Sequence, residues 1–155
     1  MRDLYFYTES GLVFTDFSRQ SRDFLRDNID FTFMVGDFIY LGLYKPFSSL
    51  YAEVNTPEQG NFTFEISTDS GFVATEVFDD TVDFSRSGFM ELDRNNESWS
   101  AVDVNGQTAY WLRISSSSQI EVSLKGLNLV FADDNDMSQE VRELSDYLPP
   151  NEPSF

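Results

Sequence analysis

DDTVDFSRSGFMELDRNNESWSAVDVNGQTAYWLRIS, Asp79 to Ser115, carries the densest pattern in the chain. Two runs with strand character, Gly88 to Leu92 and Ala109 to Ser115, flank a polar excursion that holds Trp99 and the pair Asn105-Gly106. Asn-Gly supplies the positive φ that a tight turn needs, so the alternating apolar residues around it read as antiparallel strands. Ser87-Gly88 is expected to open a strand after a tight turn, with Tyr110-Trp111-Leu112-Arg113 as its partner strand and Trp99 as a plug at the end of a sandwich. Arg113, in so acidic a region, is expected to pair with Asp83 or Asp80.

Outward from this stretch the same signals recur. Ile29, Phe31 and Phe33 alternate, and after the Val35-Gly36-Asp37 turn the run from Phe38 to Tyr44 is apolar on both faces, which marks a central strand. Pro46 ends it, because proline donates nothing to a ladder, and Leu50 to Val54 resumes with period two. Phe62, Phe64 and Ile66 form a strand with one wet face, Asp69-Ser70-Gly71 closes it, and Phe72 to Phe78 supplies the next. The final β run, Ile120 to Phe131, shifts register at Gly126, as a bulge would. Ser115 to Ser118 reads as a hairpin loop, and Ser18 to Asp30 as a loop or short helix. Turn signals roughly every ten residues, with no crossover helices, predict an all-β antiparallel sandwich, jelly-roll or immunoglobulin-like, of about eight or nine strands.

The two ends differ from this body. Residues 1–10 hold the aromatic run Tyr5-Phe6-Tyr7, read as an edge strand or as an arm laid on a partner. Residues 11–132 form the sandwich domain, and residues 133–155 a C-terminal helix and tail. In the latter, Met137, Val141, Leu144 and Leu148 recur at helical spacing behind Asp136, whose placement three residues before Gln139 resembles a capping box. Pro149-Pro150 stops the helix, and Phe155 ends the tail. Tyr5, Phe6, Tyr7, Met137, Val141, Leu144, Leu148 and Phe155 are the expected partner-binding residues.

Composition narrows the function. The formal net charge of −17 opposes nucleic acid, since neutralising phosphates takes clustered Lys and Arg. No run reaches the roughly 18 apolar residues of a membrane span, and the opening residues lack the apolar core of a signal peptide, so a cytosolically made, soluble protein is expected. With no Cys there is neither a disulfide framework nor a thiolate metal site. With no His, the usual general base, zinc ligand and Ser-His or Cys-His nucleophile pairs are missing. A glycosidase built on two carboxylates remains chemically open. The cluster Asp133, Asp134, Asn135 and Asp136 with Glu140 departs from an EF-hand, because Met137, Ser138 and Leu144 stand where a ligand, the glycine and the bidentate Glu belong. Helix capping accounts for it better, and the patch Asp79, Asp80 and Asp83 is read with the same caution. Neither metal nor cofactor is expected. A sugar-stacking platform would draw on Trp99, Trp111, Tyr5 and Tyr7, with Trp111 read as core or interface and Trp99 as the open case.

One longer pattern remains. Asp80-Thr81, Phe84-Ser85, Arg86-Ser87-Gly88, then Trp99, Val104-Asn105-Gly106 and Tyr110-Trp111-Leu112-Arg113 resemble a segment of tailed-phage virion proteins, notably baseplate-J-like wedge proteins and related tail or neck components. The likeness covers about a quarter of the chain. It implies a non-enzymatic structural protein of a virion, a neck, tail or baseplate accessory piece made in the host cytoplasm. Its implied partners are other virion proteins, in multiple copies within a symmetric assembly, with no nucleic acid and no membrane. Capsid decoration and a carbohydrate-binding module for host-surface glycans are the alternatives.

Overall fold

Period-two alternation of large apolar side chains leaves this chain one economical arrangement, two sheets pressed face to face. The computed structural model describes residues 4–22, 28–55, 57–92 and 98–129. Its strands are β1 (Tyr5–Ser10), β2 (Val13–Asp16), β3 (Ile29–Phe33), β4 (Phe38–Leu43), β5 (Ser49–Val54) and β6 (Phe62–Thr68), followed by β7 (Gly71–Ala74), β8 (Val77–Asp79), β9 (Gly88–Leu92), β10 (Ala101–Val104), β11 (Gln107–Ser116) and β12 (Ile120–Leu129). One short helix, α1 (Ser18–Arg22), follows β2. A seven-stranded sheet runs β2-β1-β4-β11-β6-β7 with β10 also on β11, and a five-stranded sheet runs β3-β12-β5-β9-β8. All pairings are antiparallel.

The chain is thus an all-β sandwich, as its alternation predicts, with twelve described strands instead of eight or nine. The surplus comes from short strands that change sheets. Phe72 to Phe78, read as one strand, is two: β7 closes the larger sheet and β8 opens the smaller one. Gly88–Leu92 and Tyr110–Arg113 are not partners, because β9 and β11 lie in opposite sheets; the hairpin partner of β11 is β10, across Asn105-Gly106. Both turn residues have positive φ, 52° and 82°. Ser115 to Ser118 likewise is no hairpin loop, since it carries the chain from β11 in one sheet to β12 in the other. The register of β12 does shift between Leu124 and Gly126. Residues 4–10 are not an arm: β1 is an interior strand between β2 and β4, with Phe6 and Tyr7 buried. The expected helix over 137–148 lies outside the described residues.

Inward-facing side chains of both sheets, among them Phe6, Ile39, Leu41, Leu112 and Ile114 against Ile29, Phe33, Leu50, Met90 and Leu124, make one core. Burying such a side chain is worth about 1.5–3 kcal/mol, so this layer supplies most of the driving force. Each end of the layer is stoppered by a ring. Phe84 packs edge-on against Phe62 at 4.9 Å, beside the end of β11, and Trp99 packs against Phe47 at 4.9 Å towards the other end.

Trp111 is completely buried on the outer face of the larger sheet. It pairs across the ladder with Gly42, and a Cβ at that position would overlap the ring carbons of Trp111. Gly42→Ala therefore forces the indole off its seat; we expect a loss of about 1–3 kcal/mol, read as a lower urea midpoint with unchanged slope. Leu12 presents the opposite case. In the β1–β2 turn it holds φ 68° while 89% exposed, so its side chain gives little back for the strain. Leu12→Asn should raise stability by about 1 kcal/mol in the same assay.

Candidate functional site

Between β8 and β9 the chain makes a left-handed knot. Val82, Asp83 and Phe84 take φ of 48°, 60° and 67° in succession, a conformation costing about 1–2 kcal/mol for each L-residue. Hydrogen bonds hold it. The Asp79 carboxylate accepts the Thr81 N–H and the Asp83 N–H, both at 2.9 Å, and the Thr81 hydroxyl. Thr81 Oγ1 accepts the Phe84 N–H at 3.0 Å, and the Thr81 carbonyl accepts the N–H groups of Ser85 and Arg86. Asp83 fastens the knot to the larger sheet's side of the core, its carbonyl accepting the Gly60 N–H and its Oδ1 the Phe62 N–H. Ser87 Oγ accepts the Val54 N–H at 2.8 Å. Gly88 sits close under the knot, where a Cβ would come within 3.0–3.1 Å of the carboxylate and backbone of Asp80. The outcome is that Phe84 is driven into the core. Asp80, Thr81, Phe84 and Gly88 are therefore scaffold residues.

The second half of the pattern is scaffold too. Trp99 is a plug: its Nε1–H donates to the Trp111 carbonyl at 3.1 Å, and its ring is buried. Tyr110 packs inward against it, while Trp111 and Arg113 face outward from the larger sheet. Arg113 does not pair with Asp83 or Asp80. Its cross-strand neighbour is Glu65, bound through Nε and Nη2 at 2.9 Å each, and its guanidinium lies between the rings of Phe38 and Phe72, 4.3 and 4.1 Å from their centroids. Asp80 pairs instead with Arg86, six residues on. Beside this group the Tyr40 hydroxyl donates to Glu9 at 2.8 Å; burial foremost, then that carboxylate, pushes its pKa up to about 12. The outer face of the larger sheet is aromatic, but Arg113 and Glu65 there occupy one another and Glu9 is taken by the Tyr40 hydroxyl.

The outer face of the smaller sheet is different. Tyr51 on β5 lies opposite Phe89 on β9, with ring centroids 5.0 Å apart, and Phe78 on β8 lies opposite Glu91, diagonal to Phe89. Phe78 is 67% exposed and Phe89 41%. Glu53, Glu76 and Glu91 stand exposed around this strip. Beside it Glu76, Val77, Phe78, Glu91 and Leu92 line a shallow cleft of about 560 Å³, mostly open to solvent. β8 is the edge of the described sheet. Strand alternation in Gly88–Leu92 already sets Phe89 and Glu91 opposite Met90 and Leu92, so half of the strip was legible. Phe78 was not, because the sequence joins β7 and β8.

Of the residues expected to bind partners, Phe6 and Tyr7 are buried and Tyr5 is half-buried beside Trp111. Met137, Val141, Leu144, Leu148 and Phe155 lie outside the described residues, as does the acidic cluster at 133–136. Among the described residues no group of acidic side chains is arranged to hold a metal, and no helix is long and apolar enough to cross a membrane. Set against protein-family models and curated protein sequences, the chain matches no family and no individual protein.

Asp83 offers a test of the knot. Burial raises its pKa, the Phe62 N–H works against that, and the neighbouring Asp79 charge raises it again. A carboxylate whose pKa is higher folded than unfolded weighs against the fold once pH has risen through the folded value, and is without effect below the unfolded value. Asn keeps an acceptor for Phe62 and tolerates left-handed φ. Asp83→Asn should therefore melt higher than wild type at neutral pH, with the gap closing as pH falls towards about 4 and absent below it.

Proposed function

We propose that this chain is a non-enzymatic docking module of a tailed-phage virion, a neck, tail or baseplate accessory protein that binds neighbouring subunits. The observation that carries the docking reading is the exposed strip Tyr51–Phe89–Phe78 on the outer face of the smaller sheet. Aromatic side chains lose little entropy on being ordered and are enriched where interfaces bury most. On the larger sheet, rings of the same kind are packed against one another. The virion setting rests on the resemblance of Asp80 to Arg113 to baseplate-J-like segments, and the roles of those residues as knot, plug, turn and strand suit a module reused as a scaffold. A symmetric particle asks little of each copy, because many modest contacts add through avidity. Capsid decoration would use the same strip. The carbohydrate reading relied on Trp99 as a platform, and that indole is inside the core.

The test is complementation of a phage lacking the gene, with purified particles examined by mass spectrometry. The wild-type chain should be present at fixed stoichiometry, and Phe78→Glu, a change at an exposed site, should fold normally yet be missing from particles. Absence of the wild-type chain from particles would sink the virion reading. Glycan-array binding abolished by Phe89→Ala would favour a carbohydrate-binding module instead.

A further inference from the structure

The geometry points to a basic segment of a protein partner as the occupant of the cleft beside β8, with an Arg or Lys side chain seated between Glu76 and Glu91 against the ring of Phe78. This rests on the docking reading of the same strip and adds the chemistry of what docks.

The larger sheet supplies an internal precedent. There two outward rings, Phe38 and Phe72, and one carboxylate, Glu65, already hold a guanidinium, that of Arg113. The smaller sheet repeats the ingredients, with Phe78 and Phe89 for rings and Glu91 and Glu76 for carboxylates. Among the described residues, however, no cation of this chain pairs with either glutamate. The cleft suits what is missing. Val77 and Leu92 offer an apolar floor for the methylene stem of a long side chain, and the exposed face of Phe78 attracts its charged head.

Other occupants fit worse. A purely apolar partner would strip water from Glu76 and Glu91 and leave both charges uncompensated, which costs more than the rings return. An acidic partner, or a nucleic acid, meets a chain of net charge −17. A cationic partner is steered in by that same field, and its charge finds carboxylates already in place. Arg fits better than Lys, since a planar guanidinium stacks on a ring while its N–H groups reach carboxylates on either side.

The experiment is fluorescence anisotropy of the full chain with a labelled octapeptide of alternating Arg and Ser, and with its Glu-Ser counterpart, at roughly 0.15 M salt. The basic peptide should bind and the acidic one should not. Phe78→Ala leaves the charge untouched and should weaken binding by about tenfold. Glu91→Gln should weaken it comparably. Asp69→Asn makes the same charge change in the exposed β6–β7 turn and should shift affinity by less than about twofold. The proposal is overturned if the basic peptide does not bind, if Phe78→Ala has no effect, or if Asp69→Asn costs as much as Glu91→Gln, which would mean attraction to the overall charge alone. Should the peptide fail while Phe78→Glu still keeps the chain out of particles, docking stands and the basic partner falls.

Discussion

Everything in the larger sheet is set by how β11 is held along its length. One edge of it pairs with β4, while the other pairs first with β10 and then with β6. Where one neighbour hands over to the next, a ladder bond would be lost, and the buried hydroxyl of Ser67 stands in for it. It accepts the Trp111 N–H at 3.1 Å and donates to the Ser100 carbonyl at 2.7 Å. The indole of Trp111 then lies over Gly42 and donates to the Val102 carbonyl, so a single side chain ties three strands together on the outer face. Its carbonyl meanwhile anchors Trp99 at the end of the core. A larger residue at 42, or any residue without a hydroxyl at 67, would disturb both layers at once.

The knot after β8 plays the corresponding part for the smaller sheet. Three consecutive left-handed residues are an expensive way to turn a chain, and they are tolerated because Asp79 and Thr81 between them satisfy the donors that such a turn exposes. The turn joins β8 to its neighbour β9 and sends Phe84 into the core against Phe62. The exposed rings of Phe78 and Phe89 therefore stand on strands whose connection is fixed by hydrogen bonds.

How far the sequence revealed this depends on the range over which each feature is encoded. A run apolar on both faces marks the strand at Phe38–Leu43, alternation marks those at Ser49–Val54 and Phe62–Thr68, and Asn105-Gly106 and Gly126 announce a turn and a bulge through their own backbone freedom. Partnership between strands was not encoded locally. Nothing in Gly88–Leu92 or Tyr110–Arg113 says which sheet either joins, so nearness in sequence does not translate into nearness in space. Arg113 follows the same rule: Asp80 and Asp83 are nearer in the chain, whereas Glu65 is nearer in the sheet. Within Asp79 to Ser115 the carboxylates of Asp79, Asp80 and Asp83 and both indoles hold the fold, whereas Phe89 and Glu91 face outward. The exposed aromatic strip is only partly legible in the sequence, because Tyr51, Phe78 and Phe89 belong to three separate strands.

The position of β12 has a kinetic side. It separates β3 from β5, pairing Ile29–Phe33 with residues some ninety positions later, as in Ile29 opposite Leu124. While a ribosome is still extending the chain, β3 has no neighbour and β5 has only one, so the smaller sheet remains split until the twelfth strand emerges. Folding of this kind is slow, because a long loop must be closed before any contact rewards it. In the interval the apolar faces of β3, β4 and β5 are open to water and to one another. A strongly acidic chain repels its own copies during that wait, so the net charge guards the nascent protein against association with itself.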